Sequence, residues 1–385
     1  MTNSFLINFA IQAAKFDMLN NYKNIRHFDL EEINDKKYIY PVMSNDWSYF
    51  LKMKTCDETL VSDRVLADVK NNQSVIVFIH PWEGPCGEID WDILHRWATD
   101  NGLSKNQVHF IHGSYYLPTK DYNFTYHPVS QFQMNWELYH EPVAYTPVDR
   151  ANLILCYNRV RRKHRTLTVC ELFNNELFDR SISSYFDPTK ETEWLVTEKY
   201  QRPDLIEAAK NVDKLLPINL EYDLSTENPA YKLNEEHHSN TFLSLVTETI
   251  VEDEVELRDP NNPIRYSPIF FSEKTWKPIS IGQPFIIIAS KGHLAYLKKL
   301  GYKTFDAWWS EDYDNEDDIN VKLTLIMREL KKLSALSTDE LITLRKDMQS
   351  IVIHNQTVYN AFRESHLNQY WEPTYRIIKK IWENF

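Results

Sequence analysis

The runs Val75-Ile76-Val77-Phe78-Ile79 and Phe285-Ile286-Ile287-Ile288 contain no polar residue. A strand of that kind is stable only where both of its faces are covered, as in a parallel sheet with helices on each side. Two further runs, Val108-His109-Phe110-Ile111-His112 and Asn152-Leu153-Ile154-Leu155-Cys156-Tyr157, read as strands of the same type. Between the first pair, Ile89 to Asn101 carries apolar residues at helical spacing (Ile93, Leu94, Trp97) and stops before Gly102. Strand, helix and strand at this spacing form a βαβ unit, and its crossover makes the two strands parallel.

The second half repeats the pattern. A helical stretch, Leu167 to Leu177, follows the Asn152 strand, and Thr241 to Val251 is strand-like. Ser272 then opens a helix that Gly282 closes, and the Phe285 strand continues to Ala289. A short helix, His293 to Leu300, ends at Gly301, with Tyr302 to Phe305 extended after it. Ile319 to Leu333 is amphipathic, Ser337-Thr338-Asp339-Glu340 is a capping box, and a basic-aromatic helix spans Pro373 to Glu383. The polar, Pro- and Tyr-rich passage Tyr115 to Pro147 reads as loop or linker. The expected division is therefore an α/β domain over 1–150, a second over 151–350, and C-terminal helices over 351–385 that pack back across the domains.

Composition narrows the partners. At 385 residues the chain is long enough for two cores, and its net charge of −12 argues against a broad nonspecific nucleic-acid surface. Four widely spaced cysteines, Cys56, Cys86, Cys156 and Cys170, form no CxxC pair, which fits free thiols in a reducing, cytoplasmic setting. The start has no basic n-region, and no run of about 18 apolar residues occurs, so neither a leader nor a membrane span is expected. The 7 glycines fall in two windows, Gly84 to Gly113 and Gly282 to Gly301, which places them at helix stops and in loops that face a site.

Cations concentrate after two of the strands. The turn Arg159-Val160-Arg161-Arg162-Lys163-His164-Arg165 follows the Asn152 strand, and Ser272-Glu273-Lys274-Thr275-Trp276-Lys277 opens the helix before Phe285. Arginine forks and lysines beside the unpaired N–H groups of a helix start are suited to a diphosphate. Arg159, Arg162, His164, Ser272, Glu273, Lys274 and Lys277 are the candidate binding residues. A solvated basic turn and an exposed lysine face are the plain alternatives for each segment alone.

The passages Tyr157-Asn158-Arg159, Leu245-Val246-Thr247-Glu248-Thr249 and Phe271-Ser272-Glu273-Lys274-Thr275-Trp276-Lys277-Pro278-Ile279, with Gly282-Gln283-Pro284-Phe285-Ile286, resemble a family of viral and bacterial glycosyltransferases. The central piece is also similar to the donor-site motif of the alpha-fucosyltransferases. The resemblance covers residues 150–315. It implies the GT-B architecture: two Rossmann-like domains facing a cleft, with the nucleotide-sugar in the C-terminal one. It implies that Glu273 hydrogen-bonds the donor's ribose or sugar hydroxyls, that Lys274 and Arg159 contact the diphosphate, and that Glu248 touches the donor. The long stretch Val251 to Pro268 and the lack of an upstream Glu-Asn-Ser pattern depart from the fucosyltransferases. The resemblance therefore implies a hexosyl or deoxyhexosyl donor without naming sugar or base.

Transfer with inversion needs a base for the acceptor hydroxyl and cations for the leaving diphosphate. The loop after the Val75 strand offers Glu83 first, then His80 and Glu88. The acidic run Ser310 to Asp318 contains Asp-x-Asp, the arrangement of metal-dependent transferases, but acids at the opening of a helix are more often a solvated cap. The reading is a metal-independent glycosyltransferase needing no cofactor beyond its donor substrate, with a glycan, protein or modified nucleic acid as acceptor, acting in the cytoplasm (the host's, if viral). The rival is a non-catalytic glycan-binding or virion-associated protein that keeps the shell. No Gly-x-Gly-x-x-Gly and no Gly-x-x-x-x-Gly-Lys-Ser/Thr occurs, which disfavours other nucleotide enzymes.

Overall fold

The computed structural model describes residues 37–43, 61–80, 88–112, 120–128, 152–158, 162–185, 192–197, 200–215, 234–249, 251, 269, 271–366 and 372–385. The chain forms two compact units, Met1–Asn135 with His366–Phe385, and Trp136–Ser365. The division thus falls at 135/136 beside the expected 150/151, and the C-terminal stretch 351–385 is itself divided at 365/366.

The first unit holds a parallel sheet in the order β1 (Tyr38–Met43), β2 (Ser74–His80), β3 (Val108–His112) and β4 (Thr125–Pro128). Helices Asp63–Lys70 and Glu88–Asp100 supply the crossovers into β2 and β3. The unbroken apolar runs follow from burial on both faces. Ile76, Phe78, Val108 and Phe110 pack against Val65, Val69, Trp91 and Leu94. Ile39, Val75, Val77, Ile79 and Ile111 pack against Ile378 and Ile381 of the helix Glu372–Asn384. β4 lies inside the passage read as loop. It is a four-residue strand, Thr-Tyr-His-Pro, and it and β1 flank the other two strands and each carry a proline, which a sheet tolerates at its margins.

The second unit is also parallel, but its order is β6 (Ser181–Ser184), β5 (Asn152–Tyr157), β7 (Thr241–Thr247), β8 (Phe285–Ile288). From β5 the chain passes through helix Lys163–Asn174 to β6 on one side, then returns past β5 to β7 on the other. The order of strands reverses between β5 and β7. Ligands of open α/β sheets bind beyond the carboxyl ends at such a reversal, because the two following connections diverge there and leave a crevice. The described strands of the first unit run in simple succession and contain no such point.

The amino edge of this sheet is stapled. The Gln283 side chain accepts from Ser244 Oγ (2.6 Å), makes a 2.5 Å contact with His238 Nδ1, and donates to Thr241 Oγ1 (2.7 Å). Arg345, buried on helix Thr338–Asp347, donates to the carbonyls of Phe242 (2.6 Å) and Gly282 (3.3 Å). Gly282 has φ +69°, and a Cβ there would lie 3.0 Å from Val352 and Gln356 of helix Gln349–His366. The glycine therefore serves both as a left-handed helix stop and as a close approach between two helices. The Gly282-Gln283-Pro284 segment is structural and lies at the edge opposite the strand reversal.

Three acids of the run Ser310 to Asp318 are engaged in local structure. Asp314 accepts from the main-chain N of Leu294 (3.0 Å) and Ala295 (3.1 Å), closing the start of helix His293–Lys299. Glu311 accepts from Phe305 N and Thr304 Oγ1, and Asp318 caps helix Ile319–Ser334. No helix among the described residues is long and apolar enough to cross a membrane. Cys156 and Cys170 are free, and burial pushes both thiols up to about 12, so neither is a ready nucleophile.

Candidate anion site at the strand reversal

Beyond the carboxyl ends of β5 and β7, the backbone is locked by side chains. Asn158 is buried, accepts from Thr247 Oγ1 (2.6 Å), and donates its main-chain N–H to Ser184 Oγ (3.0 Å). One residue after β5 thus ties three strand ends together. Of the Tyr157-Asn158-Arg159 passage, Arg159 lies outside the described residues.

Glu248, the first residue after β7, is 0% exposed and forms the centre of the site. Its carboxylate accepts four hydrogen bonds. Oε1 takes those of Ser272 N (3.1 Å) and Thr275 Oγ1 (2.6 Å), and Oε2 takes those of Ser272 Oγ (2.6 Å) and Thr249 N (2.9 Å). Its carbonyl accepts from His164 Nε2 (3.0 Å) and Arg165 Nη2 (3.5 Å), and its N–H donates to Ile288 O (2.9 Å). Both carboxylate oxygens are engaged within the protein, so the geometry gives Glu248 an internal, bracing position where a direct donor contact was expected.

The helix start beside it, Glu273–Ser280, is likewise closed from within. Ser272 Oγ accepts from Lys274 N (3.3 Å), and Thr275 N donates to Ser272 O (3.1 Å). The expectation of unpaired N–H groups aimed at a phosphate does not hold at these positions, and the attraction for an anion comes from side chains instead. Lys274 Nζ reaches Glu273 Oε1 (2.6 Å), Thr249 Oγ1 (3.1 Å) and Ser272 Oγ (3.3 Å), at 24% exposure. Burial raises the Glu273 carboxyl, but the charges of Lys274 and Lys277 outweigh it and hold the group below the usual glutamate value. Burial draws the Lys277 ammonium down to about 8, with Lys274 repelling it and Glu273 supporting it. Lys274 and Lys277 thus both act on the Glu273 carboxylate.

The other helix start, Lys163–Asn174, is built against the usual rule. It has no side-chain cap and no acid in its first turn, and Arg162, Lys163, His164 and Arg165 gather where the helix dipole is positive. Lys163 is held over Tyr200 (5.0 Å) and Trp194 (5.9 Å), whose rings make a T-shaped pair. A helix start that carries arginine and lysine and no acid attracts an anion.

His293 completes the packing. Its Nε2 lies 3.3 Å from Thr275 Oγ1, and because the Thr275 hydrogen goes to Glu248, the imidazole proton sits on Nε2. Burial lowers His293 to about 4, so it is neutral at pH 7. The sequence reading had not singled out Thr275, Arg165, His293 or the Lys163–Trp194–Tyr200 stack. Thr275 and Arg165 stood inside its motifs, whereas His293 and the aromatic pair arrive from distant segments with no local signal. Of the expected residues, the structure brings His164, Glu248, Ser272, Glu273 and Lys274 together, places Arg162 at the start of helix Lys163–Asn174, and puts Lys277 in the last turn of helix Glu273–Ser280 and not at its opening. Glu83 lies outside the described residues, and His80 and Glu88 are described in their backbone alone, as the end of β2 and the first residue of helix Glu88–Asp100.

The shift at Lys277 has a measurable consequence. Its folded value lies below its unfolded one, so between pH 8 and 10.5 the unfolded chain binds the extra proton and stability rises with pH across that window. Urea unfolding of the native protein and of Lys277→Met over this range should show the rise in the first and a flatter profile in the second.

No family model matches the chain, and no curated protein does. Among solved structures it is similar to a DNA modifying enzyme, beta-glucosyltransferase, determined in the presence and absence of the substrate uridine diphosphoglucose. The match has 10% sequence identity and a TM-score of 0.37, and covers 83% of this chain and 91% of that one. At that identity and TM-score the likeness assigns no activity.

Proposed function

We propose that this protein is a glycosyltransferase whose second unit binds a nucleotide-diphospho-sugar at the strand reversal, with the diphosphate between the two cationic helix starts. The observation that carries the reading is the joining of those two starts at Glu248. Arg162 and Lys163 belong to one, Lys274 to the other with Lys277 one turn further along the same helix, and both starts abut the point where an open parallel sheet takes its ligand. The resemblance of Phe271 to Ile279 to the donor motifs of glycosyltransferases adds the sugar to what would otherwise be a phosphate site.

In this reading the acceptor hydroxyl loses its proton to a base, its oxygen attacks the anomeric carbon, and the bond from that carbon to the diphosphate oxygen breaks. The departing diphosphate carries the negative charge, and Lys274, Lys277 and the Arg162 turn stabilise it, the role a metal ion fills elsewhere. Glu273, paired with Lys274 and held ionised, is placed to accept from sugar or ribose hydroxyls. Glu83, His80 and Glu88 are the proposed bases, and inversion at the anomeric carbon is the proposed outcome. A glycan, a protein or a modified nucleic acid is the acceptor.

Titration calorimetry with UDP, GDP, ADP and dTDP, each beside its monophosphate, tests the site. One nucleoside diphosphate is expected to bind with one-to-one stoichiometry and more tightly than its monophosphate. Absence of binding by all of them overturns the proposal and leaves the non-catalytic rival. Hydrolysis of UDP-glucose or GDP-fucose to the free diphosphate, without acceptor, then reports on turnover.

A further inference from the structure

We propose that Glu248 is a positioning residue that sets the spacing of the two cationic helix starts, and that this spacing makes the site select a diphosphate over a monophosphate. The inference rests on the reading of this site as one for a nucleoside diphosphate. Three elements converge on a residue with no exposed surface. Its carbonyl receives His164 and Arg165 from the helix Lys163–Asn174. Its carboxylate receives Ser272 and Thr275 from the helix Glu273–Ser280, and its N–H is fixed by Ile288 at the end of β8. Neither helix start can shift along the sheet edge without breaking a bond to Glu248.

A monophosphate is satisfied by one set of cations at a time. A diphosphate presents two phosphoryl groups at a fixed separation and gains only when both sets stand at the matching distance. Glu248 touches no ligand in this arrangement, because all four acceptor positions of its carboxylate are taken by protein donors. Its contribution lies in which anion is preferred.

Glu248→Gln keeps the shape and weakens the bracing by at least one hydrogen bond. Whichever way the amide turns, its NH₂ faces the main-chain N–H of Ser272 or of Thr249, and neither donor can rotate to accept. The probes are inorganic phosphate and inorganic pyrophosphate, with affinities measured by calorimetry and folding checked by circular dichroism. The native protein should prefer pyrophosphate by about tenfold or more, as expected of a second charge-assisted contact. In Glu248→Gln the ratio of pyrophosphate to phosphate affinity should fall. Thr275→Val, which deletes one of the four bonds, should lower the ratio partway and decides the matter if Glu248→Gln does not fold. A folded variant that keeps the native ratio, or that weakens both anions equally, overturns the positioning role alone. A native protein that binds neither anion overturns the site reading and this inference together.

Discussion

Trp276→Ala should lower the unfolding free energy by about 3–5 kcal/mol, the cost of emptying the site of a large aromatic side chain. Trp276 is 0% exposed and packs at 5.4 Å, ring to ring, against both Phe271 and Tyr302. In a unit of this size such a loss lowers the melting temperature on the order of 10 °C, which differential scanning calorimetry resolves. Trp276→Phe provides the internal comparison. The indole Nε1 is buried without a hydrogen-bond partner among the described residues, so phenylalanine removes that burden while losing part of the packing. Its destabilisation should be clearly smaller than alanine's. Trp276 also stands on the helix that carries Lys274 and Lys277, so the alanine variant should lose anion affinity beyond what its melting temperature accounts for. A native-like melting temperature in Trp276→Ala would show that the Phe271–Trp276–Tyr302 packing is not what anchors this helix.

Lys274→Ala is the decisive change for binding. A hydrogen bond to a charged group contributes about 1.5–3 kcal/mol, so its loss raises Kd for the bound nucleoside diphosphate roughly ten- to a hundredfold. The fold should survive, since the side chain is 24% exposed and Glu273 retains Lys277 beside it. Lys274→Arg should not restore the affinity. Thr249, Ser272 and Glu273 surround a compact ammonium, and the wider planar guanidinium cannot reproduce all three contacts. Equal diphosphate affinity in folded Lys274→Ala and in the native protein would remove Lys274 from the site.

What could be read in advance divides along a physical line. β2, β3, β5 and β8 announced themselves because double-sided burial forces runs such as Val75 to Ile79 and Phe285 to Ile288. β6, β4 and β1, which also flank their sheets, did not. Three of the four residues Ser-Ile-Ser-Ser, and Thr125 to His127 of β4, are only partly buried, and their strand character comes from a neighbour's backbone more than from their own side chains. Local devices were legible too. Ser272 caps its helix, Gly282 ends it at positive φ, and Ser337 with Glu340 forms the reciprocal capping box.

The site was legible in its cations and illegible in its acceptors. Lys274, Lys277 and the Arg162 turn can be counted from the sequence. Nothing local indicates that Glu248, 24 residues before Ser272, occupies the donors at the helix start. That long-range pairing turns the expected backbone cradle into a set of braced lysines. The Gln283 staple shows the same limit in reverse. It sits directly after the motif and serves the opposite edge of the sheet.

The helix Glu372–Asn384 closes one face of the first unit's sheet, yet it follows the whole of the second unit in the chain. A ribosome therefore releases Trp136 to Ser365 before Ile378 and Ile381 exist to cover Ile39, Val75, Val77, Ile79 and Ile111. Domains usually mature in the order of their synthesis. Here the later-encoded unit can finish first, and the earlier one waits without Ile378 and Ile381 against its sheet. During that interval the nascent chain presents a strand-rich adhesive surface, the kind that chaperones capture and that seeds aggregation.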